Sequence, residues 1–130
     1  MEAPNCRPFL PSCRYKRVEL RSLGYDGQAL TLDLQGVGFE FVRVRFVDPV
    51  GFRVLDECDL CEFWEQYHAG NGWMYEVTAG GWQELESRRA VFNSPTFFAD
   101  LREYLVVSNK CVSVLATGPP DIFDVGADPA

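Results

Sequence analysis

The chain has 130 residues, 47% hydrophobic and 14% aromatic, with a formal net charge of −7. One domain's length with this apolar content excludes a disordered chain and can build a core without disulfide staples. No apolar run approaches the about 18 residues that cross a bilayer, and an acidic excess offers phosphate no electrostatic footprint, so neither a membrane nor a nucleic acid is an expected partner.

The first stretch, MEAPNCRPFLPSCRYKR, is interrupted by three prolines and holds no apolar h-region. It does not read as a secretory signal, so the expected location is cytoplasmic. Residues 1–13 are expected to form a flexible segment, followed by one domain over 14–117. Five cysteines, Cys6, Cys13, Cys58, Cys61 and Cys111, are an odd number without a dense framework. In a reducing compartment they read as thiols; a Cys6–Cys13 bridge stays open if the protein meets an oxidant. RYKR at 14–17 is a weak basic patch that strand alternation would split between two faces.

Period-two alternation then dominates. YKRVELRS (15–22) and QALTLDLQ (28–35) flank Asp26-Gly27, the signature of a hairpin with a type I′ turn. Leu30, Leu32 and Leu34 share one face of the second strand. FEFVRVRFV (39–47) is a third strand, one face of which changes from Phe39 and Phe41 to Arg43 and Arg45. Pro49 ends it, because proline cannot donate to a ladder. GFRVL (51–55) is a short strand candidate.

In DECDLCEFWEQYH (56–68), Leu60, Phe63, Trp64 and Tyr67 fall at i, i+3, i+4 and i+7. That spacing predicts a helix over 59–68, with Asp59 and Glu62 as a capping box. GWMYEVTAGGWQELE (72–86) reads as a second hairpin turning at Gly80-Gly81, with Glu84 and Glu86 sharing an exposed strand face. Ser94 and Pro95 open a short helix through TFFADL. EYLVVSNKCVSVLA (103–116) reads as two strands around Asn109-Lys110, and 118–130 as a flexible tail. The predicted fold class is α+β: a mainly antiparallel β-sheet with one or two short helices packed on it.

Three sharper chemistries compete for residues 56–68. Zinc commonly takes two Cys pairs or a CxxC with two histidines, whereas this chain has one CxxC and one histidine. A redox CxxC needs a lowered thiol pKa, but Asp56, Glu57 and Asp59 flank Cys58 and disfavour the thiolate. A Cys61–His68 dyad on one helix is separated by roughly 10 Å at about 1.5 Å per residue, out of hydrogen-bond reach. The phosphate-loop, nucleophile-elbow, zincin and EF-hand motifs are absent from the sequence. No catalytic residue, metal or cofactor is therefore expected. The alternative is a small thiol- or zinc-dependent protein using Cys58, Cys61 and His68.

The charge distribution is more informative than its total. Residues 54–87 carry eight acids and no Lys or Arg, while the remainder holds twelve basic residues against eleven acids. The same segment contains all three tryptophans. Aromatic anchors inside a charged rim are a common interface composition. The candidate partner-binding residues are Asp56, Glu57, Glu62, Glu65, Glu76, Glu84 and Glu86 as charges, with Trp73 and Trp82 as anchors.

FRVLDECDLCEFW, GWMYEVTAGGW and EYLVVSNKCVSVLA together resemble small bacterial immunity proteins of polymorphic-toxin and contact-dependent growth-inhibition systems, over roughly residues 39–122. The resemblance implies a cytoplasmic, non-enzymatic protein that binds the toxic domain of a cognate effector and blocks its active site. Many such toxins are basic nucleases, which an acidic surface suits. The expected partner is a cognate toxin or another basic protein.

Overall fold

A computed structural model describes residues 5–8, 18–36, 41–56, 73–79, 81–86, 88 and 100–124. Among them are nine strands: β1 (Asn5–Pro8), β2 (Val18–Tyr25), β3 (Ala29–Gly36), β4 (Phe41–Val47), β5 (Gly51–Asp56), β6 (Met74–Ala79), β7 (Arg102–Val107), β8 (Lys110–Ala116) and β9 (Asp121–Asp124). One five-residue helix, α1 (Trp82–Glu86), accompanies them. The antiparallel sheet expectation holds, but the described residues are all-β in character, not α+β. The helix expected over 59–68, and most of the one expected after Ser94, lie outside the described residues.

The strands form two antiparallel sheets, ordered β1-β6-β7-β8-β5 and β2-β3-β4-β9. Their inner faces stack as a sandwich. From the four-stranded sheet come Leu30, Leu32, Leu34, Val42, Val44 and Phe46, and from the five-stranded sheet Met74, Tyr104, Val106, Val112 and Val114, all in one buried cluster. Phe46 and Tyr104 bridge the sheets with ring centroids 5.6 Å apart, and Tyr25 meets Phe52 edge-on at 5.5 Å. The Leu20 amide donates to Asn109 Oδ1 (2.9 Å), tying edge strand β2 to the tip of the β7–β8 hairpin.

Local chemistry explains the turns. Asp26 and Gly27 do lie between β2 and β3, but only Gly27 adopts a positive φ (92°). The connection is three residues long, because the Asp26 carboxylate accepts from the Gln28 and Ala29 amides at 2.8 Å each. Those bonds hold Asp26 below its ordinary pKa. The register shifts between Leu20 and Ser22, and this bulge lets both Leu20 and Leu23 pack on the core. The final hairpin turns at Ser108-Asn109, one residue before the expected place, since Lys110 already opens β8 opposite Asp56.

Both terminal segments contribute strands. Asn5–Pro8 pairs with β6 and Asp121–Asp124 with β4, so neither segment wholly lacks regular structure. Edge pairing uses backbone groups that every residue but proline carries in full, which leaves little trace in side-chain pattern.

The two outer faces differ. On the four-stranded sheet, Thr31, Asp33, Gln35, Arg43 and Arg45 alternate with the core residues and meet water, and Arg43 forks onto Asp33 at 2.7 and 3.2 Å. On the five-stranded sheet, Tyr75, Val77, Leu105, Val107 and Cys111 form a second buried cluster. Strands β7 and β8 are buried on both faces, matching their nearly continuous apolar sequences.

Candidate functional site: the β5–α1 flank

One register row crosses the outer face of the five-stranded sheet: Cys6, Val77, Glu103, Leu115 and Gly51. Glu103 is only 2% exposed, and a buried carboxylate needs partners. It finds them in the start of α1, whose Trp82 and Gln83 amides donate to its two oxygens at 3.0 and 2.7 Å. The approach is close. A Cβ on Gly81 would lie 2.6 Å from Val77 Cγ1 and 2.7 and 2.8 Å from the Glu103 oxygens, so glycine is required there.

This contact also accounts for the missing strand. The hairpin expected over 72–86 is half correct: 74–79 is a strand, but after Gly81 the chain winds into α1 because Glu103 binds two amides that a helix start leaves unpaired. Glu84 therefore lies on a helical turn, not on a strand face with Glu86.

Trp82 lies over the far end of the row. Its ring would touch a Cβ on Gly51 at 3.6 Å, its indole N–H donates to Glu86 Oε1 at 3.2 Å, and the Arg53 guanidinium stands 5.1 Å from its centroid. That last distance is within cation–π range. Burial raises the Glu103 pKa, against the lowering effect of the two amides and Arg53. Burial likewise pushes the Cys6 thiol up to about 12, with Glu103 adding to the effect, so Cys6 stays protonated.

The proposed partner-binding residues separate into distinct environments. Trp73 is fully buried in the inter-sheet core, which corrects its role as an exposed anchor: it fills volume between the sheets. Glu76 is engaged internally, 2.9 Å from Arg7 and 3.9 Å from Arg102. Asp56 is exposed and lies 3.3 Å from Lys110 Nζ. Trp82 and Glu86 are half-buried together on α1. Glu57, Glu62 and Glu65, with Cys58, Cys61 and His68 of the alternative reading, lie outside the described residues, as does the Glu84 side chain.

Sequence reasoning missed Glu103 and Arg53, and read Gly81 only as a hairpin turn residue. One signal was available: Glu103 is a charged residue at the head of an apolar run, YLVV, sharing the parity of Leu105 and Val107. Comparison with family models, with characterised proteins and with solved structures returns no match for this chain.

Proposed function

We propose that this protein is a non-enzymatic binding module whose partner docks on the β5–α1 flank, and that in concrete form it is a cytoplasmic immunity protein neutralising a basic toxin domain. The observation that carries this reading is the exposure of large apolar side chains beside acids on two elements of the acidic segment. Residues 54–56 close edge strand β5, and residues 82–86 form α1, whose Trp82 packs over Gly51 beside Arg53 at the other end of that strand. Val54 (42% exposed) and Leu85 (47%) are large apolar side chains left in water on these two elements, which also carry Asp56 and Glu86.

Apolar anchors with an acidic rim suit a basic protein surface. The Asp56–Lys110 pair offers little resistance, because an exposed ion pair contributes only about 0–1 kcal/mol and its carboxylate can exchange partners.

The test is a tagged pull-down from the native host at low salt and at about 0.5 M salt, where surface attraction is screened. The expected result is one basic protein in stoichiometric amount, weakened by salt, whose toxic activity the purified chain inhibits. Leu85→Asp should speed its dissociation, and Asp56→Lys should mainly slow association. Absence of any partner at both salts, or a captured protein whose activity the chain leaves untouched, would defeat the inhibitor reading.

A further inference from the structure

We propose that Glu103 is a proton-operated clamp that sets how firmly α1 and its Trp82 are held against the five-stranded sheet. The geometry is specific. One carboxylate binds two consecutive amides, a glycine brings the chain into contact with both its oxygens, and its residue is almost wholly removed from water. Lifting α1 would expose Glu103 and return it to an ordinary aqueous carboxyl. The clamp and the protonation state of Glu103 are therefore thermodynamically linked.

The direction follows from the groups that face it. From β5 comes the Arg53 cation; from β1 comes Cys6, a neutral thiol; α1 brings its two amides and carries Glu86 beside Trp82; and β8 brings Leu115, which is uncharged. Glu76 of β6 has the opposite strand parity to Val77 and pairs with Arg7 and Arg102. Burial outweighs the amides and Arg53, so docked Glu103 holds its proton to higher pH than free glutamate. The docked state thus binds more protons than the lifted state throughout the interval between those two values. Acidification through that interval tightens the clamp, and rising pH loosens it as the buried carboxyl ionises. A protonated Glu103 still accepts through its carbonyl oxygen, for which the shorter bond from Gln83 is the better placed donor.

Hydrogen exchange reads the two clamped amides directly. Protection factors of the Trp82 and Gln83 amides, corrected for intrinsic exchange and compared with those of Val106 and Val112 in the core, should fall as pH rises from about 4 to about 9. The fall should be about tenfold for each unit by which docking raises the Glu103 pKa. The Trp82 indole resonance should titrate over the same interval. Glu103→Gln should abolish both pH dependences, and Arg53→Gln, by removing the facing cation, should move the midpoint upward. Should Glu103→Gln fail to fold, the Arg53→Gln midpoint carries the test. Protection that is flat over this range, a profile unchanged in Glu103→Gln, or a midpoint unmoved by Arg53→Gln would each overturn the clamp.

Discussion

The two sheets handle the same side-chain chemistry in opposite ways on their outer faces. On the four-stranded sheet the carboxylate of Asp33 meets the Arg43 guanidinium where both are partly wet, with side-chain exposures of 20% and 39%. On the five-stranded sheet the carboxylate of Glu103 is sealed under α1 and bound by backbone amides. The first arrangement is reversible decoration on a sheet that already has its core. The second makes a charged group part of the packing, so removing either partner leaves polar atoms stranded in a dry place. Water access, more than the hydrogen-bond distance, decides what each contact contributes.

That contrast can be broken most forcefully through the apolar residues around Glu103. Leu105 is buried in the outer-face cluster, and Leu105→Ala should cost about 2–5 kcal/mol in urea denaturation. A cost as small as that of a surface change would mean that the outer face of this sheet is wet after all. Next comes Gly81→Ala. Its new methyl would collide with Val77 and the Glu103 oxygens, and the expected loss is about 1–3 kcal/mol, with α1 displaced and the pH dependence of the clamp altered. A neutral outcome would show that α1 does not approach the sheet so closely. The smallest effect belongs to the four-stranded sheet. Arg43→Ala should shift the urea midpoint only slightly, with the difference shrinking in high salt. A larger, salt-independent loss would place Asp33 and Arg43 in the same class as Glu103 and erase the contrast.

The four-stranded sheet is the region whose residues are easiest to place from sequence. Leu30, Leu32 and Leu34 alternate with Thr31, Asp33 and Gln35, and each lies on the face its parity implies. The Asp26-Gly27 turn was legible in place, though its length was not, because a side-chain carboxylate replaced part of the backbone turn. In the five-stranded sheet the strands of 102–116 were legible as apolar runs, whereas the assignment of 82–86 to a strand failed. Five residues, WQELE, have no periodicity long enough to distinguish helix from strand, and the deciding acceptor, Glu103, is twenty residues away in the chain.

The candidate site divides along the same line. The acidic segment 54–87 and its aromatic content are facts of sequence, independent of any fold. Which of its members can face a partner is not. Trp73 and Trp82 are equally apolar and flank the same glycines, yet one fills the inter-sheet core and the other lies on the surface beside Arg53. Glu76 and Asp56 are both acids on strands, but Glu76 is enclosed between two arginines while Asp56 shares an exposed position with one lysine.

By itself the sequence determined the antiparallel strands, the faces of β3 and β4, and the uneven placement of charge, because these depend on neighbours one or two residues away. The tertiary structure alone decided the division into two stacked sheets, the strands at both terminal segments, and the burial of Glu103 beneath α1. Those depend on edge pairing and on desolvation by distant residues, and neither leaves a local pattern in the chain.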